Sequence, residues 1–254
     1  MRPHHRNLHQ TNPAGDRGLR HRTLWLIEGR SGGAAGLPDS VPRSPRAMTR
    51  HIERQIDQLK QKILFVGTLV EEAISKAITA LINRDTALAQ RVMASDDEID
   101  RMEVEVEEEC LKILALYQPV AADLRFVVAA LKINNDLERM GDLAKNIAKR
   151  VGQLARSEQI DLPPEIRPMA MQAQEMVREC LEAVVNADPT LARHVREQDD
   201  AVDDGRQRIR ERVLRGIRET PQDSESLMRI NSVSKHIERL ADMATNVAED
   251  VIYM

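Results

Sequence analysis

The sequence predicts an all-α protein made of two homologous three-helix bundles, with six long helices in total. Three observations lead to this prediction. Apolar residues recur at the three- and four-residue spacing of amphipathic helices, and no segment shows the pattern of a strand. Charged residues make up 31% of the chain and aromatic residues only 2%, which suits long helices packed through aliphatic side chains. The chain also contains an internal repeat, which predicts two similar units related by pseudo-twofold symmetry.

The repeat is clearest in two short motifs that lie 100 residues apart. Residues 138–148 read ERMGDLAKNIA, and residues 238–248 read ERLADMATNVA. A second match joins residues 85–92 to residues 188–195, with an offset of 103. The difference between the two offsets is assigned to a loop, because turns tolerate changes of length.

The first unit is expected at residues 48–155 and contains three predicted helices. Helix 1 covers about 50–83. Helix 2 begins after Asp85, a residue type whose carboxylate can cap the first turn, and it ends before Pro119. Helix 3 covers about 121–155 and carries an apolar seam with alternating four- and three-residue spacing, which is typical of helical bundles.

The second unit is expected at residues 160–254. Helix 4 opens at a pair of prolines and covers about 163–187. Helix 5 is predicted to be capped by Asp188, with Pro189 at its first position, where proline is favoured. Helix 6 starts near residue 223 and repeats the seam of helix 3.

The first 47 residues differ in composition from the rest of the chain. They contain eight Arg, three acidic residues and six of the eleven Gly, without sustained periodicity. Residues 1–47 are therefore expected to be a disordered basic N-terminal extension. A basic arm that contacts nucleic acid or lipid headgroups is the alternative.

Composition excludes several classes of protein for the remaining part. The body is acidic and the whole chain has five aromatic residues, which argues against a nucleic-acid binder. No segment approaches 18 uninterrupted apolar residues, so no membrane span is expected. The two cysteines have neither metal-type nor disulfide-type spacing and are expected to be reduced.

Carboxylates recur at helical spacing in both units. Each repeated motif places Glu, Asp and Asn at i, i+4 and i+8, on one side of a helix, and helices 2 and 5 carry Asp pairs at i and i+4. If the two helices of each unit pack with these sides together, four carboxylates converge. The candidate metal ligands are Asp96, Asp100, Glu138 and Asp142 in the first unit and Asp199, Asp203, Glu238 and Asp242 in the second.

Two interpretations of these stripes stay open. Hard oxygen ligands suit Mg, Mn, Ca or iron, and a cation would relieve the repulsion among them. The alternative is a solvated acidic face balanced by Arg139, Arg239 and nearby lysines. In both cases the carboxylates are expected at the surface, because the apolar seam lies on a different side of the helix.

Nothing in the sequence indicates a reaction. The chain has no Glu-x-x-His pair typical of di-iron bundles and no glycine-rich loop followed by Lys and Ser or Thr. A non-enzymatic protein is therefore expected. Two alternatives are a purely structural acidic bundle and a metal-dependent phosphate-ester hydrolase.

These motifs resemble the PhoU family, over about residues 50–254. The resemblance rests on QPVAADLR at 118–125, on ERMGD at 138–142, and on ERLAD at 238–242 followed by Asn246. It implies a cytoplasmic, all-helical negative regulator of phosphate uptake and of the phosphate-starvation response.

The resemblance also implies partners. Such a protein would act as an adaptor between the ATPase subunit of a phosphate ABC transporter and a sensor histidine kinase when phosphate is plentiful. A homodimer is implied as well.

The family further implies a divalent metal or iron on acidic motifs, which fall on the eight carboxylates named above. Many members have His after the second acid of the motif, where this chain has Leu143 and Met243. This departure argues against a tightly held transition metal and leaves a labile hard cation or no metal.

Overall fold

The computed structural model describes residues 45–156 and 160–254, and these all belong to one compact unit. Within these ranges the chain forms seven α-helices and one short 3₁₀ turn (Pro221–Asp223), with no β-strand. The helices are α1 (Pro45–Asn83), α2 (Thr86–Tyr117), α3 (Ala121–Leu154), α4 (Ile166–Asn186), α5 (Pro189–Glu197), α6 (Asp199–Glu219) and α7 (Ser224–Tyr253). The all-α prediction is confirmed. Across the same ranges, no helix combines the length and apolar character needed to cross a membrane.

The predicted N-terminal extension lies outside the described residues, except for its last three residues, which begin α1. The predicted helices 1 to 4 and 6 correspond to α1 to α4 and α7. The predicted capping residues are also confirmed: an Asp85 oxygen accepts from the Leu88 N–H at 2.9 Å. An Asp188 oxygen accepts from the Thr190 and Leu191 N–H groups at 2.8 and 3.1 Å.

The predicted helix 5 is divided into α5 and α6 at Gln198. Around this residue the backbone tightens, because the Gln198 N–H bonds to the Val195 carbonyl and the Ala201 N–H bonds to the Gln198 carbonyl, both at 3.2 Å. These are three-residue turns in place of the usual four. The Gln198 side chain meanwhile bonds to Gln172 and Glu179 on α4. The tertiary contact with α4 therefore accompanies a bend that the sequence did not reveal.

The helices form two bundles that meet along α3 and α7. Helix α1 packs on α2 and α3, α4 packs on α5, α6 and α7, and α1 also contacts α4. Helices α3 and α7 run antiparallel, since Lys132 Nζ lies 2.9 Å from an Asp250 oxygen and Arg125 Nε donates to the Met254 carbonyl. The neighbouring helices thus follow the order α2, α3, α7, α6, with α1 and α4 packed behind them.

The core of both bundles is aliphatic. The predicted seam residues are buried, apart from Leu154, which is partly buried: Ile133, Leu137, Met140, Ala144, Ile147 and Val151 of α3, and Val233, Ile237, Leu240, Ala244, Val247 and Val251 of α7. Residues between the seam positions, such as Asp142 and Arg139, are exposed. The seam therefore fixes which sides of α3 and α7 face solvent.

A single glycine sets the distance between α2 and α3. A Cβ atom at Gly141 would lie 3.1 and 3.2 Å from two carbons of Ile99 on α2, whereas a Cβ atom at Gly152, later in the same helix, would meet nothing within 4 Å. The carboxylates of α2 and α3 flank this contact. The close approach at Gly141 therefore also governs how near those carboxylates come to one another.

We predict that Gly141→Val lowers the free energy of unfolding by about 1–3 kcal/mol, because two added methyl groups overpack the contact with Ile99. The matched control is Gly152→Val, which should change it by less than about 0.5 kcal/mol, since the side chain enters open space and valine is no worse in a helix than glycine. Urea denaturation followed by circular dichroism measures both. Equal effects of the two substitutions would contradict the close-approach role of Gly141.

Candidate functional site

The predicted metal ligands fall into two separate clusters, one in each bundle. The first acidic cluster lies between α2 and α3 and consists of Asp96, Asp100, Glu103, Glu138 and Asp142. The second acidic cluster lies between α6 and α7 and consists of Asp199, Asp203, Glu238 and Asp242. In each bundle the carboxylates of the two neighbouring helices come near enough to repel one another.

The antiparallel packing of α2 and α3 sets the order of groups in the first acidic cluster. At one end Lys145 Nζ donates to Asp96. In the middle the carboxylates of Asp100 and Asp142 repel one another. At the other end Glu103 repels Glu138. The cluster thus has one end that is neutralised by a lysine and one end that holds only carboxylates.

The carboxylate-only end carries the largest electrostatic strain. Burial raises the pKa of the Glu138 carboxyl to about 7, and repulsion from Asp142 and Asp100 adds to the rise. Burial likewise raises the pKa of Asp100, with further repulsion from Asp96 and partial relief from Lys145. These shifts mean that the charged state of the cluster is disfavoured in the folded chain.

Asp96 differs from the expectation that these carboxylates lie at the surface. Its side chain is only 3% exposed and forms an ion pair with Lys145. A buried carboxylate needs such a partner, because burying an unpaired charge costs roughly several kcal/mol. Asp96 is therefore engaged internally, while Asp100 and Asp142 are exposed and Glu138 is half-buried.

The second acidic cluster repeats the arrangement with a different cationic side chain. Burial raises the pKa of Asp242, and repulsion from Glu238 and Asp203 adds to it. Burial and repulsion from Asp203 raise the pKa of Asp199 in the same way. Arg206 lies at the position equivalent to Glu103, and its Nε is 3.3 Å from a Glu238 oxygen.

The two repeats therefore place a cationic side chain at opposite ends of their acidic clusters. The first cluster is neutralised at Asp96 by Lys145, whose counterpart in the second repeat is Thr245. The second is neutralised at Glu238 by Arg206. The sequence alone assigned no role to Lys145 or to Arg206. Helical spacing indicates both side chains, because each one follows the second carboxylate of a stripe by three residues.

The chemistry of the donors suits a hard cation better in the first cluster than in the second. Asp100, Glu103, Glu138 and Asp142 offer only carboxylate oxygens. In the second cluster the guanidinium of Arg206, 13% exposed, already lies against Glu238. Within residues 45–156 and 160–254, no three His, Cys, Asp or Glu side chains are close enough, as they stand, to hold one ion together. Metal ligation by the eight predicted residues stays a prediction.

The described residues offer no evident nucleophile. Cys110 and Cys180 are both fully buried. Burial raises the pKa of the Cys110 thiol to about 12 and also raises that of Cys180, so neither is a thiolate at neutral pH. Burial lowers the pKa of His236, which lies within 3.4 Å of the Ser232 hydroxyl on its own helix. Both residues belong to α7 and are partly buried, and the buried Nδ1 of His236 has no hydrogen-bond partner in the described ranges.

Comparison with known proteins gives a consistent result. The model of a family described as the PhoU domain matches residues 63–151 and again residues 166–251. A Pseudomonas aeruginosa protein named phosphate-specific transport system accessory protein PhoU homolog is 36% identical over 215 residues, covering 82% of this chain and 88% of that protein. A homolog of the same name from Aquifex aeolicus is 38% identical over 201 residues, covering 79% of this chain and 91% of its own length.

Solved structures are similar in the same way. The crystal structure of PhoU from Pseudomonas aeruginosa has a TM-score of 0.77 at 36% identity, covering 79% of this chain and 97% of that one. The phosphate transport system regulatory protein PhoU from Streptococcus pneumoniae has a TM-score of 0.74 at 28% identity, covering 80% and 95%. The duplicated helical architecture is thus common to this chain and to solved PhoU structures.

We predict that Glu138→Gln stabilises the chain at about pH 8 but not at about pH 5. The folded-state pKa of Glu138, about 7, lies above its ordinary value of 4.5, so the folded chain holds this proton more tightly than the unfolded chain. The free energy of unfolding therefore falls as the pH rises from about 4.5 to about 7, and the neutral amide of the Gln side chain removes that loss. The urea midpoint at each pH, with a chelator present, measures the effect.

The exposed Glu53 on α1 serves as the control, since Glu53→Gln should leave the urea midpoint unchanged at either pH. A Glu138→Gln variant with the same pH dependence as the unsubstituted chain would show that Glu138 carries no unfavourable charge in the fold.

Proposed function

This chain belongs to the PhoU family, and from that premise we propose that it is an accessory protein that regulates phosphate uptake. The relatives named above are accessory proteins of phosphate-specific transport. In the form we propose, the chain acts in the cytoplasm as an adaptor between the ATPase subunit of a phosphate ABC transporter and a sensor histidine kinase. It would restrain uptake and the starvation response when phosphate is plentiful.

The observation that carries the adaptor proposal is the accumulation of exposed and half-buried carboxylates in each repeat, which Lys145 and Arg206 neutralise only in part. Like charges that repel one another lower stability unless an external group relieves them. Burial raises the pKa values of Glu138, Asp100 and Asp242, and repulsion from neighbouring carboxylates raises them further. A basic surface on a partner protein would supply the relief and gain binding free energy by doing so.

The arrangement supports a binding role more than a catalytic one. Both cysteines are sealed in the core, whereas the cluster carboxylates other than Asp96 are exposed or half-buried. Electrostatic stabilisation of a transition state is strongest in a site that excludes water from the reacting groups. We therefore propose that the chain works without catalysing a reaction, by contact alone.

A cation is a second means of relieving the first acidic cluster. Asp100, Glu138 and Asp142, with Glu103 beside them, would hold a hard divalent cation or iron, which supplies positive charge where the chain has none. The second acidic cluster has less need of one, because Arg206 already neutralises Glu238. We propose that cation binding at the first cluster adjusts the charge that partners encounter.

We also propose that the chain forms a homodimer. Val120, Leu124 and Val128, at four-residue spacing around the start of α3, are all exposed. Exposed aliphatic stripes of this kind are favoured at contacts between protein copies. Sedimentation velocity of the full chain, compared with a Leu124→Ser and Val128→Ser variant, tests this proposal.

We predict that the double substitution Glu138→Ala and Asp142→Ala weakens capture of the transporter ATPase subunit or the sensor kinase by about tenfold, equivalent to about 1.4 kcal/mol. In cells grown with abundant phosphate, the same variant should release phosphatase expression. Pull-down from cells grown with and without phosphate measures the first effect, and a phosphatase assay measures the second.

The matched control is Glu53→Ala with Asp57→Ala, a Glu-x-x-x-Asp pair on α1 whose side chains are both exposed. It removes the same charges at the same spacing, away from both clusters. If both double variants regulate as the unsubstituted protein does, the first acidic cluster is not a docking surface.

For the cation, we predict that chelator-treated protein takes up Mn²⁺ or Mg²⁺ during dialysis and that Glu138→Ala with Asp142→Ala removes most of this uptake. The equivalent substitutions Glu238→Ala and Asp242→Ala should have a smaller effect, since Arg206 neutralises that cluster in the unsubstituted chain. Elemental analysis after dialysis gives the stoichiometry. Equal losses from the two double variants would contradict the proposed difference between the clusters.

A further inference from the structure

A cavity of about 170 Å³ lies where the two bundles meet, between α3 and α7. Its lining comes from both repeats: Arg139, Asp142, Leu143 and Asn146 from α3, and Arg239 and Met243 from α7. Arg139 and Arg239 are equivalent residues of the internal repeat, as are Leu143 and Met243. The cavity therefore lies close to the pseudo-twofold axis, between two equivalent arginines. About 10–15 Å³ is enough for a single water molecule, so this volume accommodates a larger polar ligand.

The two arginines have hydrogen-bond donors to spare. Arg139 contacts one carboxylate, with its Nη1 3.6 Å from an Asp136 oxygen. Arg239 forms no hydrogen bond or ion pair with any residue in the described ranges, although it lies near enough to Asp242 to lower the pKa of that carboxyl. A guanidinium has five N–H donors in a planar fork that matches phosphate geometry. Two such groups on one cavity repel each other, and an anion between them would relieve that repulsion.

The base of the cavity is apolar, since Leu143 and Met243 are each only 8% exposed. Apolar surroundings lower the local dielectric constant and strengthen the attraction between a guanidinium and an anion. Many members of the PhoU family carry His at these two positions. Here they provide a hydrophobic floor beneath two charged groups.

The remaining polar groups restrict the kind of anion. Asp142, exposed at the edge of the cavity, is a carboxylate that can only accept hydrogen bonds when ionised, and Asn146 offers both a donor and an acceptor. Asp142 would repel a fully deprotonated oxyanion such as sulfate. It would instead accept a hydrogen bond from a phosphate hydroxyl. Hydrogen phosphate keeps a hydroxyl throughout the neutral range, and a phosphate monoester keeps one below its second pKa, about 6.

We propose that this cavity binds a protonated phosphate group, held by Arg139 of one repeat and Arg239 of the other, with Asp142 as the acceptor of its hydroxyl. The ligand class is hydrogen phosphate, either as the free ion or as a terminal monoester on a lipid headgroup. The inference goes beyond the adaptor function proposed above, because it gives the chain its own site for the ion whose uptake it would regulate. It shares Asp142 with the first acidic cluster, but it requires neither a partner nor a cation to bind there.

The test is equilibrium dialysis of the purified full chain against radiolabelled inorganic phosphate, with unlabelled phosphate or sulfate as competitor. We expect saturable binding that phosphate displaces and sulfate does not. Arg139→Gln and Arg239→Gln should each weaken binding by about tenfold or more, because each removes charged hydrogen bonds to the anion. Arg101→Gln is the matched control, since Arg101 is an exposed arginine of α2 outside the cavity.

Asp142→Asn provides a readout that a general charge effect would not give. Removing the negative charge should strengthen sulfate competition, because the amide can donate to a fully deprotonated oxyanion. Circular dichroism verifies that each variant remains helical. If sulfate competes as well as phosphate with the unsubstituted chain, the role of Asp142 is overturned.

A second arm distinguishes the source of the phosphate group. Vesicles of phosphatidylcholine with and without phosphatidic acid are sedimented with the chain and with the Arg239→Gln variant. Binding to phosphatidic acid vesicles alone, lost on substitution, assigns the site to a headgroup. Binding of the free ion assigns it to inorganic phosphate. No arginine-dependent binding in either arm overturns the proposal, whatever the outcome of the partner experiments above.

Discussion

The contact between α3 and α7 determines where every other functional group lies. Both helices bury an aliphatic seam, from Ile133 to Val151 in α3 and from Val233 to Val251 in α7. A helix that commits one side to the core must present the residues between the seam positions to its neighbours or to solvent. This places the Glu and Asp of each motif on the flank of the seam, toward α2 or α6, and places Arg139 and Arg239 at the junction of the two bundles. The hydrophobic pattern thus orders the charges without contacting them.

The acidic clusters lower the free energy of unfolding, which burial of the seams raises. Desolvation and mutual repulsion raise the pKa values of Asp100, Glu138 and Asp242, so each cluster is less stable in its ionised state than separate carboxylates would be. The chain relieves part of this with Lys145 and Arg206. The repulsion that remains is concentrated on exposed groups. Local arrangements that lower stability are expected at functional positions, where a ligand or partner completes the set of charges.

Much of the fold could be predicted from the sequence, because local signals determine it. The caps at Asp85 and Asp188 and the spacing of the seams mark helix boundaries and buried sides within single helices. Features that depend on contacts between helices could not be predicted. The division of helix 5 accompanies side-chain bonds between Gln198 and α4, and the burial of Asp96 depends on how α2 lies on α3.

The same limit applied to the site. The repeat identified the carboxylates, and the structure brings them together as two clusters. The sequence repeat could not show which ends of the clusters are neutralised, because that depends on which residues of two antiparallel helices lie opposite each other. Nor did single-helix periodicity reveal the cavity between Arg139 and Arg239, since the two side chains come from different repeats.

The difference between the repeats is informative in itself. Duplication first yields two identical clusters, and a role in solubility alone would set no constraint on where their cations lie. Here the first cluster keeps Glu103 and Glu138 together without a cation, while the second places Arg206 against Glu238 and leaves the Asp199 end without the lysine found in the first. Two surfaces with related shape and unlike charge can select unlike partners, because a misplaced like charge costs binding free energy. An adaptor that joins two different proteins requires this kind of divergence, and a symmetric scaffold does not.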